Sequence, residues 1–329
     1  MFKLVRTSAF LLAAAFLAMA QSDRGTITGT VTDPANAVVP GARLVLRNVE
    51  TGALAEAQTT MTGNFILPSL PVGSYDLTVE AAGFKKALQK ALQVQVGQTM
   101  RLDLQLEVGA ATESVTVTAG AALLKTENAE QSMNVTGEKV NDLPINFGGG
   151  GSAGGGIRNW LSFVMLAPGV SGTSATANVN GMPTGSYGGA KVYLEGQDST
   201  DANNPNWVGG SAMAAASVET ITEFAMQASN FSAEFGQVSG GFYNFTTKSG
   251  SNQIHGSAYE YWANEALDAA RPFSHLRDRD RKNDYGFTVG GPVYIPKLYN
   301  GKNKTFFFFN LEKFGNNQLS TSSYSTVPT

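Results

Sequence analysis

The stretch from Ser239 to Trp262, SGGFYNFTTKSGSNQIHGSAYEYW, carries two strand patterns on either side of a polar turn. The first half concentrates aromatic residues and threonine, and the second half alternates large with small residues. Period-two patterns separated by a turn rich in Gly, Ser and Asn predict two consecutive β-strands. We expect these two strands to lie in different surroundings, because only the second is followed by further strands of the same alternating type.

The strands that follow this turn separate their side chains into two faces. A strand from Ile254 places one set of residues on one face (His255, Ser257, Tyr259 and Tyr261) and another set on the opposite face (Ile254, Gly256, Ala258 and Glu260). The segment 283–293 does the same, with Tyr285, Phe287 and Val289 opposite Gly286, Thr288 and Gly290. One aromatic face and one small or polar face are typical of membrane-barrel strands, although a half-buried strand of a soluble protein gives a similar pattern.

The rest of the C-terminal region fits the same hypothesis. Residues 263–283 are polar and charged and predict a long extracellular loop, while residues 295–303 predict a short periplasmic turn. Four adjacent phenylalanines, Phe306 to Phe309, break the alternation and suit the aromatic girdle at a membrane interface. On the barrel interpretation, residues 251–329 begin a transmembrane β-barrel with about three strands, and on the pattern alone the half-buried strands of a soluble protein stay an open alternative.

Length and composition bound the remaining options. The chain has 329 residues, a formal net charge of −3 and a charged fraction of 15%. This length allows two or three domains, and the acidic balance gives no sign of nucleic-acid binding. The chain has no cysteine, which excludes disulfides and thiolate metal sites.

The first 20 residues predict a secretory signal peptide. Lys3 and Arg6 precede a short apolar run that ends in Ala18, Met19 and Ala20. The alternative, a transmembrane anchor, requires about 20 apolar residues, more than this run supplies. We expect cleavage after Ala20 and export of the mature chain.

Residues 21–108 predict a β-sandwich. Segments such as GTITGTVTD (25–33) and GQTMRLDLQLEV (97–108) alternate apolar with polar residues, and Gly and Pro punctuate them at short intervals. Together with the run GSYDLTVEAAGF (73–84), these segments resemble the carboxypeptidase regulatory-like, transthyretin-like family, whose fold is also described as carbohydrate-binding-like. The aromatic residues Phe65, Tyr75 and Phe84 fall at expected core positions, which favours a packing role over a sugar-binding platform.

The segment 109–125 is predicted to link the sandwich to the next domain. Its β-branched run lends itself to two interpretations, a further edge strand of the sandwich or a strand offered to a partner. The run resembles the TonB box of outer-membrane transporters, which pairs with the periplasmic protein TonB. The residues concerned are Glu113, Ser114, Val115, Thr116, Val117, Thr118 and Ala119.

Residues 126–250 mix short helices and strands and resemble the plug domain of TonB-dependent transporters. The resemblance rests on VTGEKVNDLP (135–144), LAPGV (166–170), YLEGQD (193–198) and VETITEFAMQASNFSAEFG (218–236), among other blocks. Thr136 is a candidate N-cap for a helix that ends near Pro144, and a second short helix is predicted before Pro168. The Gly-rich run 147–156 departs from the family pattern and is interpreted as a flexible insertion.

The whole chain resembles the N-terminal portion of an Oar-like TonB-dependent outer-membrane transporter. The predicted fold is mainly β: a β-sandwich, an α+β plug, and the first strands of a barrel that needs about 22 strands for closure. The resemblance implies TonB as the energy-coupling partner, outer-membrane lipid around the barrel, and a transported substrate that the sequence does not name. The alternative is a non-transporting cell-surface protein whose sandwich binds carbohydrate or matrix.

No motif in the sequence indicates an enzyme. The chain has two histidines and no H-E-x-x-H, and neither a G-x-S-x-G elbow nor a phosphate loop is present. The oxygen-rich segment 198–206 lacks the glycine and final glutamate of an EF-hand, so a polar turn is favoured over a calcium site. We predict no catalytic residue, no cofactor and no resident metal.

Overall fold

The structure is a computed structural model, and the residues that it describes fall in separate ranges: 24–110, 114–118, 130–143, 157–158, 163, 166–171, 178–179, 182–183, 191–199, 217–231, 236, 238, 240–270, 275, 277 and 279–319. The predicted signal peptide, the Gly-rich insertion, Glu113 and Ala119 lie outside these ranges, as does nearly all of the oxygen-rich segment. No helix within the described ranges has both the length and the apolar character needed to cross a membrane.

The N-terminal part forms two facing sheets. Its strands are β1 (Gly25–Thr32), β2 (Arg43–Asn48), β3 (Leu54–Gln58), β4 (Asn64–Leu70), β5 (Gly73–Glu80), β6 (Lys86–Val94), β7 (Thr99–Arg101), β8 (Leu104–Gln105) and β9 (Ser114–Thr118). One sheet has the order β4-β1-β7, with β8 also pairing with β1, and the other has the order β3-β2-β5-β6-β9. This is the predicted sandwich.

Strict alternation of side chains builds the core of the sandwich. Every second residue of β1 is buried, and β2 and β5 alternate in the same way, because successive side chains of a strand point to opposite faces of a sheet. Phe65 and Tyr75 are each 3% exposed and Phe84 packs against the same cluster, which confirms them as core residues. Phe65 and Tyr75 are thus hidden from solvent, and Phe84 is partly buried beside them.

A glycine lets two segments of the sandwich approach closely. A Cβ atom at Gly29 would lie 1.9 Å from the backbone oxygen of Leu102, which is far inside contact distance. Leu102 lies in the break between β7 and β8, the two strands that pair in parallel with β1. We expect any side chain at position 29 to force these segments apart.

The middle part is built on a five-stranded mixed sheet. Its strands are β10 (Gln131–Thr136), β14 (Lys191–Leu194), β15 (Gln197–Asp198), β16 (Ile221–Ser229) and β17 (Phe242–Thr247), in the order β10-β16-β17-β14-β15. Strand β14 runs parallel to β17, and the other pairs are antiparallel. A smaller sheet consists of β11 (Val170–Ser171), β12 (Asn178–Val179) and β13 (Met182–Pro183).

A short helix and a 3-10 turn cover one side of the middle sheet. Helix α1 spans Gly137–Asp142, and a 3-10 helix spans Val218–Thr220. Thr136 occupies the N-cap position with extended backbone, but its side chain makes no capping hydrogen bond, so it lacks the contact expected of a candidate N-cap. The helix is instead held by Val140, which is 1% exposed in the core cluster with Phe163 and Phe224.

The C-terminal part contains three long antiparallel strands in the order β18-β19-β22. They are β18 (His255–Ala263), β19 (Arg279–Pro292) and β22 (Phe306–Leu319), with a small hairpin of β20 (Tyr294–Ile295) and β21 (Tyr299–Asn300) between the last two. Strands β19 and β22 each have 14 residues, more than the roughly 9–11 that cross a bilayer. Each of these two strands is therefore longer than the crossing of a bilayer requires.

The structure corrects the predicted extent of the long loop. Strand β19 begins at Arg279, inside the segment 263–283 that the sequence assigned entirely to a loop. Its charged beginning pairs in register with β22, from Arg279 opposite Leu319 to Asn283 opposite Gly315. Charge predicted a solvated loop here, but a barrel strand that extends past the lipid is also solvated.

Candidate functional site at the plug and barrel interface

A buried ion pair lies where the middle domain meets the long strands. The guanidinium Nη1 of Arg158 lies 2.8 Å from Oε1 of Glu219, and the two side chains are only 2% and 8% exposed. Arg158 follows the Gly-rich insertion in the chain, and Glu219 belongs to the 3-10 helix that leads into β16. Such a pair is stabilising only when its remaining hydrogen-bonding capacity is met.

Two tyrosines of the first long strand surround the arginine. The guanidinium carbon of Arg158 lies 4.1 Å from the ring centroid of Tyr261 and 4.7 Å from that of Tyr259. The Nη1 group also donates a hydrogen bond to the Tyr261 hydroxyl, at 3.3 Å. A cation held over aromatic faces away from water gains from the ring quadrupoles, so β18 contributes directly to the binding of this arginine.

Glu219 receives further contacts from both domains. Its Oε2 accepts a hydrogen bond from the hydroxyl of Ser257 at 3.3 Å, and the ammonium group of Lys248 lies 3.7 Å from the same atom. Ser257 is also 2.9 Å from the Thr288 hydroxyl of β19. One carboxylate therefore connects the middle domain to two strands of the long sheet.

Acidic groups of the long strands continue the network. The Tyr259 hydroxyl donates to Oε2 of Glu312 at 2.9 Å, and Oδ2 of Asp284 accepts a hydrogen bond from the backbone N–H of Ile157 at 2.9 Å. Asp284 is 1% exposed, although it lies in a strand of the long sheet. The inner face of this sheet is consequently polar and is occupied by the segment that carries Arg158.

The outer face of the same sheet is apolar and exposed. Phe287 is 43% exposed, Phe309 is 49% exposed, and their ring centroids lie 5.8 Å apart. In β18 the tyrosines face inward instead, because their hydroxyls have hydrogen-bonding partners on the inner side. The aromatic face is thus the inner one in β18 and the outer one in β19, a distinction that the alternation alone does not make.

The sandwich docks on the middle domain through the turn after β6. The backbone N–H of Val96 donates to Oε2 of Glu223 at 3.4 Å, and the side-chain amide of Asn134 donates to Oε1 of the same carboxylate at 2.6 Å. Val96 is 3% exposed and Glu223 is 2% exposed. A buried carboxylate of β16 therefore fixes the sandwich against the sheet of the middle domain.

A second contact joins the sandwich to the junction before β18. The backbone N–H of Asn252 donates to the carbonyl oxygen of Glu50 at 3.1 Å. Asn252 and Asn303 also exchange two hydrogen bonds of 2.7 Å, which ties this junction to the turn between β21 and β22. A cleft of about 640 Å³ lies between the sandwich and the end of the middle domain, and its lining includes Arg24 and Lys248.

Two groups of the middle domain have shifted acidities outside the long sheet. A hydrogen bond with the carboxylate of Asp198, 3.0 Å away, raises the pKa of the Lys191 ammonium group. Burial raises the pKa of the Tyr243 hydroxyl, which lies in the core of the middle domain. The contact between Lys191 and Asp198 joins β14 to β15, and burial favours the neutral form of the Tyr243 hydroxyl.

The structure places the TonB-box-like run in the sandwich. Residues Ser114–Thr118 form β9, which pairs in parallel with β6, from Lys86 opposite Ser114 to Lys90 opposite Thr118. The sandwich sheet therefore extends beyond Val108, the predicted domain boundary, by one strand. This pairing is the edge-strand interpretation of the run, and its recognition by a partner stays a prediction.

Sequence reasoning missed the residues at the interface. Arg158 lies in the segment before Pro168 that predicts a second short helix, and Glu219 lies in the plug-like block 218–236, and neither is predicted as a site residue. The available signal was a single arginine in the apolar run IRNWLSFVML (157–166), because an isolated charge in such a run requires a buried partner. The partner itself lies 61 residues away in the chain and could not be assigned without the fold.

Comparison with known proteins agrees with this architecture. Residues 26–107 match the family described as "Carboxypeptidase regulatory-like domain", and residues 246–329 match the family described as "Outer membrane beta barrel domain". The first match covers the N-terminal sandwich and the second covers the three long strands, and the mixed sheet of the middle domain lies between them in the chain. The barrel-domain match also indicates the outer membrane as the location.

The particular relative is a transporter. The chain is 29% identical over 314 residues to the TonB-dependent transporter Oar of Myxococcus xanthus, a match that covers 90% of this chain and 28% of that protein. The chain is thus Oar-like along nine-tenths of its length, and it spans just over a quarter of the relative.

Solved structures give weaker likenesses. The siderophore receptor PirA of Acinetobacter baumannii has a TM-score of 0.36 and 17% identity, with 57% of this chain and 24% of that chain covered. A putative carbohydrate binding protein of Bacteroides uniformis has a TM-score of 0.22 and 20% identity, covering 25% of this chain and 40% of the other.

Proposed function

We propose that the chain forms the sandwich, the plug and the first barrel strands of a TonB-dependent outer-membrane transporter for an unidentified substrate. The observation that carries the proposal is the Arg158–Glu219 pair, caged by Tyr259 and Tyr261 of β18. A plug must be seated firmly against its barrel and yet be released when it is pulled. A buried polar contact meets both needs, because it is specific when intact and costs little to separate once water enters.

The other parts of the chain have roles in the same proposal. The signal peptide at residues 1–20 exports the chain, lipid covers the exposed apolar face of the long sheet, and the periplasmic protein TonB supplies the force. The exposed aromatic residues Phe287 and Phe309 support the lipid contact, since a large apolar patch facing water is unfavourable. The relative's name and the barrel match support the role of TonB.

The run Glu113 to Ala119 is proposed as the point at which TonB engages. Its described part, β9, is the last strand of the sandwich and precedes β10 of the plug in the chain, so that a force applied there is transmitted along the chain to the plug. Recognition through backbone pairing tolerates most side-chain changes, because the hydrogen bonds come from N–H and C=O groups. Proline is the exception, since it has no N–H group and fixes φ.

The test compares two substitutions at one position. We expect Val117→Pro to weaken binding to the purified C-terminal domain of TonB by at least about tenfold, because each lost ladder hydrogen bond contributes about 1 kcal/mol and the chain also bends. Val117→Ala keeps the backbone groups and is the matched control, for which we expect little change. Isothermal titration calorimetry with the chain in detergent measures both affinities.

The opposite result is equally informative. If the proline variant binds TonB as tightly as the unmodified chain, the run is an edge strand of the sandwich alone and TonB engages elsewhere. If the unmodified chain shows no affinity for TonB at all, the proposed energy coupling through this segment is wrong. The proposal of active transport then has no coupling site among these residues.

A further inference from the structure

The sandwich contacts two parts of the chain that move apart when a plug is released. One is the middle sheet, which the turn between β6 and β7, residues 95–98, contacts at β10 and β16. The other is the rim of the long sheet, defined here as the junction 250–254 before β18 and the turn 301–304 before β22. The turn between β2 and β3 contacts this rim. When the plug leaves the long strands, one of the two contacts of the sandwich must therefore open.

The contact with the middle sheet is buried and includes an apolar side chain. Val96 is buried although it belongs to neither core cluster of the described residues, and its backbone N–H donates to the carboxylate of Glu223. Beside it, the side-chain amide of Asn134 lies 3.4 Å from Oε1 of Gln95. Opening this contact would bring the Val96 side chain from a buried position into water, which is unfavourable.

The face of the middle sheet that meets this turn is not its core face. Successive side chains of a strand point to opposite faces, so Glu223 and Gln227 share one face of β16, whereas Phe224 and Met226 lie in the core cluster on the other. Glu223 and Gln227 are buried as well. A Cβ atom at Gly97 would lie 3.2 Å from Nε2 of Gln227, so the sandwich turn packs directly against this second face.

The contact with the rim is open to water. It includes the hydrogen bond of 3.1 Å from the backbone N–H of Asn252 to the carbonyl oxygen of Glu50, and Glu50 is exposed. The neighbouring Val49 is 54% exposed, so the contact leaves this apolar side chain uncovered. The cleft of about 640 Å³ adjoins it, with Glu50 and Asn252 in the lining. Water can replace a hydrogen bond that is lost here, so this contact opens more easily than the buried one.

We propose that the sandwich and the middle sheet move as one body, and that the contact between the sandwich and the rim opens when the plug leaves the long strands. This inference rests on the proposed function, because it requires that the plug is released. It gives the sandwich a mechanical role: while the sandwich is docked on the rim it opposes release of the plug.

Two cross-linked variants distinguish the two contacts. The double variant Glu50→Cys, Asn252→Cys links the sandwich to the rim, and the double variant Gln95→Cys, Asn134→Cys links it to the middle sheet. Both pairs are in contact, through backbone atoms 3.1 Å apart and side-chain atoms 3.4 Å apart respectively. The chain has no cysteine of its own, so a short cleavable bismaleimide forms one defined link in each variant. The four single-cysteine variants, treated with the same reagent, are the controls.

The measurement is hydrogen exchange of the whole chain in detergent, at urea concentrations below the unfolding transition, with fragmentation that resolves single amides. The Ile157 amide reports release of the plug, because it donates to Asp284 of the long sheet. Amides of residues 64–80 report unfolding of the sandwich itself and should exchange equally in all variants. We expect the rim link to slow exchange at Ile157 at least about tenfold, and the link to the middle sheet to change it less than about threefold. Cleavage of the rim link with reductant should restore the original rate.

Three other patterns overturn the inference. If only the link to the middle sheet slows exchange at Ile157, the sandwich stays on the rim and the plug leaves alone. If both links slow it, the sandwich separates from both neighbours. If neither link slows it, the sandwich does not restrain the plug.

The proposed function is tested separately. The hydrogen-exchange experiment uses no TonB, so its result does not depend on energy coupling. If the unmodified chain fails to bind the C-terminal domain of TonB in calorimetry while the rim link still slows exchange at Ile157, the coupling proposal fails and the joint movement of sandwich and middle sheet stands.

Discussion

The sandwich and the long sheet at the C-terminus both alternate their side chains, but they turn opposite kinds of side chain to the interior. In the sandwich, Ile27 and Leu77 are fully buried and the outward residues are mostly polar. In the long sheet, the outward residues include Phe287 and Phe309, while the inward face carries Asp284 at 1% exposure. Period-two alternation therefore specifies that a strand has two different faces, and it leaves open which of them is turned to the interior.

The difference comes from what lies against each face. The sandwich has water outside and a second sheet inside, so its apolar side chains are buried between the sheets. The inner face of the long sheet lies against the plug, where Arg158 and the backbone of Ile157 supply polar partners. A polar interior with an apolar exterior is the arrangement of membrane barrels, in which lipid takes the place of water.

The largest expected effect concerns two ion pairs, one buried at the interface of the long sheet and one exposed on the sandwich. We expect Arg158→Ala to cost about 3–5 kcal/mol of the free energy that seats the plug, because it leaves Glu219 charged and buried. The matched variant is Arg43→Ala in the sandwich, whose partner Glu56 is also bound at 2.9 Å but whose side chain is 53% exposed. For that exposed pair we expect a cost of about 0–1 kcal/mol.

Limited proteolysis of the whole chain measures the difference. The Arg158 variant should expose plug cleavage sites much faster than the unmodified chain, while the Arg43 variant should be cleaved at the original rate. Equal rates for the two variants would mean that the interface contributes no more than a surface contact does.

The next effect concerns the apolar core of the sandwich. Leu77→Ala removes a fully buried side chain and should lower the free energy of unfolding of the sandwich by about 2–5 kcal/mol. Ile66→Ala is the control on the same sandwich, since Ile66 is 59% exposed, and a change within about 0.5 kcal/mol is expected. Hydrogen exchange of the amides in residues 24–110, followed by mass spectrometry, reports on this domain separately from the others.

The smallest effect contrasts the two outward faces. Phe287→Arg places a charge on the face proposed to meet lipid, at a cost of up to about 2–4 kcal/mol near the bilayer midplane. Ile66→Arg makes a similar change on the outward face of the sandwich, where water solvates the charge and the expected cost is within about 0.5 kcal/mol. The amount of each variant recovered in outer-membrane fractions compares the two. Equal recovery would mean that Phe287 does not contact lipid.

Much of the fold could be predicted because it depends on short-range patterns. The alternation of β1, β2 and β5 and the turn residues between them predicted the sandwich, and the mainly β fold with a C-terminal barrel region is confirmed by the two domain matches. Strand β19 began earlier than predicted because its first residues pair with β22, and pairing over such distances along the chain has no local signature.

The candidate site could not be predicted in the same way. Arg158, Glu219 and Tyr259 come from three segments, and no spacing rule relates them, since their contact is set by how the plug sits on the long sheet. The TonB-box-like run was found from its composition, but its pairing with β6 depends on where the chain returns after Val108. Local sequence patterns therefore predict the strands and helices, whereas the contacts between distant segments depend on the tertiary structure.

The run of four phenylalanines from Phe306 to Phe309 has a consequence for how this sequence can diverge. It begins β22, so that its members alternate between the faces of the sheet. Phe307 and Phe309 are 41% and 49% exposed, whereas the ring centroid of Phe308 lies 6.4 Å from that of His255, over Gly290. Neighbouring codons thus encode residues under different selection: the outward pair accepts any apolar side chain, and the inward pair must preserve its shape. Among descendants of this gene, substitutions along the run should accumulate at every second position.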